Sequence, residues 1–125
     1  MSSLTRISPA EWDVLNAVWD QAPATASEIC AALAEDKEWH PKTVNTFLAR
    51  LVQKRVLRVR REGKSNVYTA ARTREQCVRV ESESFVKRVF RGATGPMLLH
   101  FVERASLSAD EIRELERLLK QKKKS

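Results

Sequence analysis

The chain has few of the residues on which redox and metal chemistry depend. It holds two cysteines in 125 residues. Cys30 and Cys77 lie far apart, each is flanked by apolar residues at helical spacing, and neither belongs to a Cys-x-x-Cys pair or a Cys/His cluster. The pattern predicts two buried thiols and no metal site. A disulfide or a redox sensor is the alternative, and the intracellular character expected below weighs against it.

Histidine is equally scarce. His40 and His100 fall in different halves of the chain, and neither has the setting of a catalytic triad. An enzyme needs a nucleophile with a base, paired acids or a metal site. The sequence therefore predicts that the protein is not an enzyme and binds no cofactor or metal. His100 is expected to be a partly buried helix residue with satisfied hydrogen bonds.

Long apolar runs are also missing. No stretch approaches the roughly 20 apolar residues of a membrane helix, and Met1 to Ile7 lacks the apolar run of a signal peptide. A soluble cytoplasmic protein without membrane insertion is expected. Its 42% hydrophobic residues are enough for a compact core, and its length favours one domain or one domain with an oligomerisation appendix.

Acidic residues are nearly absent from the middle of the chain. Between His40 and Arg72 there are nine Lys and Arg residues and a single acid, Glu62, whereas Met1 to Trp39 has seven acids and two cations. Charge that served only solubility would be scattered. Cations concentrated on one segment are typical of a surface that neutralises phosphates, so this segment predicts nucleic-acid binding.

Three helices are expected in the first half of the chain. Ser8, Pro9 and Glu11 form a helix-start signal, and the apolar spacing that follows predicts a helix to about Gln21. A capping box at Thr25 then starts a short second helix that ends near Glu35. Pro41 can occupy the first turn of a third helix, which runs to Lys54.

The third helix has two unlike faces. Its apolar face is expected to carry Val44, Phe47, Leu48, Leu51 and Val52. Its other face is expected to carry Lys42, Thr43, Asn45, Thr46, Ala49, Arg50 and Gln53. An ordinary exposed face carries long Glu and Lys side chains, yet this helix has no acid and has small residues that permit close approach. The first face is predicted to join the core and the second to meet a ligand surface.

After the third helix the apolar period changes from about 3.6 to 2. An alternating run from Leu57 to Arg60, a glycine-containing turn from Arg61 to Ser65 and a second run from Val67 to Thr69 predict a β-hairpin. Three helices followed by a basic hairpin describe a winged helix-turn-helix over residues 1–72, with the third helix in the major groove and the hairpin along the adjacent backbone. The alternative is a solvated helix beside a solubilising edge strand, which leaves the missing acids unexplained.

Residues 73–125 return to a helical pattern. A helix from Glu75 to Arg91, a break at Gly92, Gly95 and Pro96, a short apolar helix from Met97 to Val102 and a last helix capped by Ser108 are expected. The fold class is thus mainly α with a small β-hairpin, a winged helix-turn-helix domain followed by a three-helix dimerisation domain.

A partner chain is expected for this second domain. About fifty residues lie near the lower limit for an independent core, and a two-fold homodimer would also read both halves of a palindrome. The residues expected at the dimer interface are Val80, Phe85, Val89, Leu98, Phe101, Ile112, Leu115 and Leu119. The alternative is a monomer whose C-terminal helices fold back on the first domain.

Five strings carry a family resemblance. They are ISPAEWDVLNAVW, WHPKTVNTFLARLVQKRVL, EGKSNVYTA, SFVKRVF and LSADEIRELERLL. Over almost its whole length the chain resembles the penicillinase-repressor family of bacterial regulators, the BlaI/MecI type. The resemblance implies a homodimeric winged-helix repressor that binds a double-stranded DNA operator with a TACA/TGTA-type dyad and blocks transcription of β-lactamase or related genes.

The resemblance also implies a set of DNA contacts. On the third helix these fall on Lys42, Thr43, Thr46 and Arg50, with Asn45 near the edge of the face. Lysine can donate to guanine, a threonine methyl can contact a thymine methyl, and asparagine can serve adenine. On the hairpin the phosphate-positioning residues would be Arg60, Arg61, Lys64 and Ser65. Arg55 and Arg58 receive no role.

The chain departs from the family where repression is relieved. In β-lactam-responsive members a membrane sensor pathway leads to cleavage of an Asn-Phe bond in the fifth helix, and the matching pair here is His100-Phe101. Copper-responsive relatives have a cysteine-rich C-terminus, whereas this chain has no cysteine after Cys77, which excludes copper sensing by that route. A winged-helix module that binds protein, or a nonspecific DNA-binding protein, is the alternative function.

Overall fold

The computed structural model describes residues 6–125, so the expectation for Met1 to Thr5 lies outside the described residues. The elements in chain order are α1 (Pro9–Gln21), β1 (Ala24–Thr25), α2 (Ala26–Leu33), α3 (Pro41–Gln53), β2 (Leu57–Glu62), β3 (Ser65–Ala70), α4 (Arg74–Phe90), α5 (Thr94–Arg104) and α6 (Ala109–Lys124). The expected fold class, mainly helical with a small sheet, is confirmed. Within the described part of the chain, no helix has the length and apolar character needed to cross a membrane.

Reciprocal caps start the first two helices, as the sequence predicts. At α1 the Ser8 hydroxyl accepts from the Glu11 amide at 3.2 Å, and the Glu11 carboxylate accepts from the Ser8 amide at 2.8 Å. At α2 Thr25 and Glu28 make the same pair of bonds. Each cap satisfies donors that the first turn of a helix leaves without partners.

The sheet has one strand more than the predicted hairpin. Its order is β1-β3-β2, with all neighbours antiparallel, and Ala24 of β1 is opposite Tyr68 of β3. A strand of two residues is too short to show an alternating pattern, which is why the sequence did not reveal it. The predicted five-residue turn was also too long, because the strands continue to Glu62 and Ser65 and leave a two-residue turn that begins at Gly63 with φ +61°.

The chain divides into two compact units, Met1–Ser84 and Phe85–Ser125. The core of the first unit joins α1, α2, α3 and the sheet through fully buried residues that include Leu15, Ile29, Leu48, Leu51 and Leu57. The domain boundary expected after Arg72 stays a prediction, since α4 runs without interruption through the junction of the compact units.

The two cysteines differ in exposure. Cys77 of α4 is 1% exposed, whereas Cys30 of α2 is only partly buried, so the expectation of two buried thiols was wrong for Cys30. The reason is position: Cys30 packs against the edge of the core and not inside it. Both thiols are free, and burial raises the pKa of each.

An aromatic cluster organises the second unit. The ring of Phe85 lies 5.9 Å from that of Phe90 and 6.1 Å from that of Phe101, between centroids. The helix α4 ends at Phe90 and α5 begins at Thr94, so the predicted break is confirmed at Gly92 and was wrong at Gly95 and Pro96. Proline in the first turn of a helix removes no intrahelical hydrogen bond, and Pro96 is therefore compatible with that turn.

One cation of the basic segment has a structural role. Lys54, just after α3, places its Nζ 2.6 Å from Glu11 Oε1 and donates to the Arg6 carbonyl at 2.8 Å. Glu11 is only 2% exposed. Burial raises the pKa of this carboxyl, but the hydrogen bonds and charge of Lys54 and the bonds from Ser8 outweigh burial, so the pKa is lowered. Lys54 thus links the start of α1 to the end of α3.

Replacing Lys54 with alanine should destabilise the fold by about 3 kcal/mol at pH 7, because it leaves a buried carboxylate without its partner. The lowered pKa of Glu11 means that the stabilisation is complete above the pKa of the unfolded chain and is lost as the pH falls through the folded value. The difference between Lys54→Ala and the parent should therefore shrink in acid. Urea unfolding followed by tryptophan fluorescence at pH 7 and at acid pH measures both effects.

The matched control is Lys37→Ala. Lys37 and Asp13 form a 3.5 Å ion pair that is far more exposed, and its loss should cost less than about 1 kcal/mol. Equal destabilisation by the two variants, or a Lys54→Ala effect that does not change with pH, would contradict this account.

Candidate nucleic-acid interface

The two faces of α3 are separated as the sequence predicts. Val44, Leu48 and Leu51 are at most 1% exposed and belong to the core. The residues exposed on the opposite face include Lys42, Asn45, Thr46, Ala49 and Arg50. Thr43, placed on that face by the sequence, is only partly exposed. Because α3 contains no carboxylate, its outer face can approach a polyanion without repulsion.

The start of α3 is fixed by a residue that the sequence analysis did not assign. His40 is the N-cap, and its Nδ1 accepts from the Lys42 amide at 3.1 Å. The His40 carbonyl also accepts from the amides of Thr43 and Val44. The signal for this role was available, since His40 directly precedes the proline at the first helical position, but histidine is not among the usual capping residues.

Two polar side chains of α3 are held by its own backbone. Thr46 Oγ1 donates to the Lys42 carbonyl at 2.9 Å, and Asn45 Nδ2 donates to the Pro41 carbonyl at 3.1 Å. The Thr46 hydroxyl is thereby turned back along the helix, which leaves its methyl group to face outward. Asn45 also lines a shallow space with Ser65 and Asn66 of β3, so α3 meets the sheet beside the exposed face.

Aromatic rings support Arg50. Its guanidinium carbon lies 5.9 Å from the centroid of the Phe47 ring, a cation–π distance, and Phe47 in turn packs at 5.3 Å on Trp39. Trp39 and Phe47 are both partly buried. The stack holds the charge of Arg50 at the exposed end of the helix face. The supporting role of Trp39 was not found from sequence, because it depends on the loop before α3.

The hairpin places its cations on two different sides. In an antiparallel pair, residues opposite each other point to the same face. Arg61 is opposite Asn66 and shares its face with Tyr68, which belongs to the core, whereas Arg60 is opposite Val67 on the other face. Arg60 is also paired with Glu62 at 2.5 Å. The sequence grouped Arg60 with Arg61, but the register separates them.

Lys64 completes the cationic tip of the hairpin. It occupies the two-residue turn after Gly63 and is exposed, as is Ser65 at the start of β3. Arg61 Nε donates to the Gly63 carbonyl at 3.2 Å, which ties that side chain to the turn. Among residues 6–125 there is no cluster of three His, Cys, Asp or Glu residues that could hold a metal ion.

The residues expected at a dimer interface lie on α4, α5 and α6. Five of them, Val89, Leu98, Phe101, Ile112 and Leu119, are between 45% and 61% exposed. The other three, Val80, Phe85 and Leu115, are partly buried. The expected cleavage pair lies inside α5, where His100 is exposed and its ring stands 5.3 Å from that of Phe101, so the expectation of a partly buried His100 was wrong.

Comparison with known proteins agrees with this architecture. The family model described as Penicillinase repressor matches residues 7–121. The chain is 34% identical to the penicillinase repressor of Bacillus licheniformis, over 98% of this chain and 96% of that protein. It is also 34% identical to the methicillin resistance regulatory protein MecI of Staphylococcus aureus (strain N315), over 93% of this chain and 94% of that protein.

A solved structure resembles part of the fold. It is the solution structure of the monomeric form of BlaI from Bacillus licheniformis in complex with the blaP half-operator, which is 32% identical and superposes with a TM-score of 0.51. The match covers 60% of this chain and 92% of that chain. The helices and hairpin described above are therefore a winged helix-turn-helix, and the chain belongs to the penicillinase-repressor family of DNA-binding transcriptional repressors.

Proposed function

We propose that this repressor binds a two-fold operator of the TACA/TGTA type as a homodimer, with α3 in the major groove and the β2–β3 hairpin along the adjacent backbone. The observation that carries the proposal is the outer face of α3, which is exposed, free of acid and bounded by two cations, Lys42 and Arg50. An α-helix fits the major groove of B-form DNA, and small residues let its backbone come close to the base edges.

Base reading is assigned to four residues of α3. Lys42 would donate to guanine acceptors, Thr43 and Thr46 would place methyl groups against thymine methyls, and Arg50 would contact a base or the backbone. Asn45 is a weaker candidate for adenine, since one of its amide donors is already engaged by the Pro41 carbonyl. These contacts would supply sequence preference.

Phosphate positioning is assigned to the hairpin. Arg61 and Lys64 would neutralise phosphates, and Ser65 would donate one hydrogen bond. Arg60 would add little, because Glu62 neutralises it and because it lies on the opposite face from Arg61. The hairpin would therefore make two cationic contacts, through Arg61 and Lys64.

Arg61→Ala should weaken binding to operator and to unrelated duplex alike and should lower the salt slope of log K by about 0.9, the value for one phosphate contact. The matched control is Arg60→Ala/Glu62→Ala, which removes an ion pair without changing net charge. We expect its slope to equal that of the parent. Fluorescence anisotropy at several salt concentrations measures both.

An unchanged slope for Arg61→Ala would contradict the assignment. A parent whose binding hardly depends on salt would contradict DNA binding itself and would favour the protein-interaction alternative.

Thr46 tests the reading of bases. Thr46→Val keeps the outward methyl and removes the hydroxyl, whereas Thr46→Ser does the reverse. If the methyl contacts thymine, Thr46→Ser should lose about fourfold in preference for operator over scrambled duplex, which corresponds to about 0.8 kcal/mol for one methyl-sized group. Thr46→Val should retain the preference. Competition titrations with the two duplexes decide between these outcomes, and the opposite order would reject the methyl contact.

The homodimer is supported by the second unit. A unit of about 40 residues lies at the size below which a single chain rarely supports its own core. Besides the expected residues, Leu99, Val102 and Leu118 are exposed on α5 and α6. On α6 the apolar residues Ile112, Leu115, Leu118 and Leu119 recur at helical spacing. A second copy would cover this surface and bring two α3 helices to one palindrome.

Leu119→Asp should shift the chain from dimer to monomer, because it places a charge in the proposed apolar interface. Gln121→Asp, an equally acidic change at an exposed polar position of the same helix, is the control and should leave the dimer intact. Sedimentation velocity at micromolar concentration distinguishes the two. Affinity for a full operator should fall with Leu119→Asp while affinity for a half-site stays the same; a parent that sediments as a monomer would reject the homodimer.

Relief of repression is proposed to follow cleavage of the His100-Phe101 bond through a membrane sensor pathway, with β-lactamase or related genes as targets. The exposed side chain of His100 is compatible with access by a protease. The bond lies in the regular helix α5, and because proteases bind extended chain, this turn would have to unwind first. A repressor must reach the DNA that carries its operator, so we expect the protein in the cytoplasm.

A further inference from the structure

Two arginines of the basic segment have no part in the proposed operator contact. Arg55 follows α3, and Arg58 lies on β2, at the opposite end of the hairpin from its turn. Together with Arg72 they line one concave space of about 440 Å³. The remaining lining residues are apolar: Val52, Leu57 and Ala71. The volume falls within the range of small-molecule sites in proteins.

Arg55 has a backbone conformation that does not suit arginine. Its φ is +65°, in the left-handed region, where it follows the C-cap Lys54. The Arg55 amide donates to the Val52 carbonyl, and the Val56 amide donates to the Leu51 carbonyl, both at 3.0 Å. Glycine is the residue that fits this helix ending without steric cost. An arginine held there against local preference points to a use for its side chain.

The charges of Arg55 and Arg58 are not balanced by an acidic residue in this space. None of its lining residues is acidic, and among residues 6–125 no ion pair or hydrogen bond engages the guanidinium of Arg55 or Arg58. The backbone of Arg72 is held at the edge of this space, since its carbonyl accepts from Trp19 Nε1 at 3.0 Å. Two guanidinium groups that have no acidic neighbour in the space attract an anion.

We propose that Arg55 and Arg58 form a binding site for a phosphate group. A guanidinium fork binds phosphate through two parallel hydrogen bonds, and a phosphate has enough oxygen atoms and charge to engage both arginines. The phosphate can belong to a phosphorylated small molecule or to a DNA backbone that extends past the contacts of α3 and the hairpin. The site goes beyond the proposed function, because neither the operator reading by α3 nor the dimer requires it.

The position of the site gives phosphate binding a structural consequence. Its lining comes from the end of α3, the base of β2 and the segment after β3. A bound phosphate would therefore cross-link the recognition helix to the base of the hairpin. Any effect of the phosphate on DNA affinity must be matched by an equal effect of DNA on phosphate affinity.

The test is calorimetric titration of the full chain with inorganic pyrophosphate, at constant ionic strength set with chloride. The variant is Arg55→Gly/Arg58→Gln, and the control is Arg79→Gln/Lys87→Gln, which removes the same charge from exposed positions of α4. We expect the parent and the control to bind equally and the Arg55→Gly/Arg58→Gln variant to bind at least tenfold more weakly. Arg55→Gly alone should raise the melting temperature, so weaker binding cannot be attributed to unfolding.

Pyrophosphate affinity of the variant within twofold of the control would overturn the proposal and leave Arg55 and Arg58 as solubilising residues of an edge strand. A parent protein that shows no saturable heat of binding above the chloride background would also overturn the proposal.

A second titration with pyrophosphate is carried out in the presence of a saturating operator duplex. Lost pyrophosphate binding there identifies a DNA phosphate as the occupant, and retained binding identifies a free phosphate compound. Because the first arm contains no DNA, its failure leaves the repressor proposal intact.

Discussion

The burial of the apolar face of α3 is the constraint on which the rest of the structure depends. Val44, Leu48 and Leu51 fill the centre of the core, which fixes the rotation of the helix about its axis. With that rotation set, the opposite face must be the exposed one. The ion pair of Lys54 with Glu11 then fixes the end of the same helix against the start of α1. The position of the outer face of α3 is thus a result of core packing, and it is held by the rigidity of the packed interior.

Patterns of short range were readable from the sequence. The capping boxes at Ser8, Thr25 and Ser108, the faces of α3 and the change to period 2 each depend on residues within one or two turns, so they can be predicted without knowledge of the fold. Features that join distant segments could not be predicted from the sequence. The strand β1 exists only because Tyr68 and Val67 offer it a partner, and the structural role of Lys54 depends on a carboxylate that is 43 residues away.

The residues of the candidate site were likewise predictable from the sequence only where they depend on short-range patterns. Its residue types and helix were predictable, because an acid-free helix face is a local property. The separation of Arg60 from Arg61 was not, since it follows from strand register and from pairing with Glu62. The role of His40 required the geometry of the first turn of α3. The number of cations in a segment therefore overstates the positive charge that is available to a ligand. The excess comes from cations that form ion pairs with carboxylates of the protein itself.

The backbone contacts of Thr46 and Asn45 and the ring beneath Arg50 have a consequence for the entropy of association. A side chain that becomes ordered only on binding loses rotamer freedom at that moment, at a cost of up to roughly 2 kcal/mol for an arginine. Here the hydrogen bonds within α3 and the contact with Phe47 restrict these side chains in the free protein. Part of that loss has already occurred during folding, so these side chains of α3 would lose less rotamer freedom if they bind DNA as proposed.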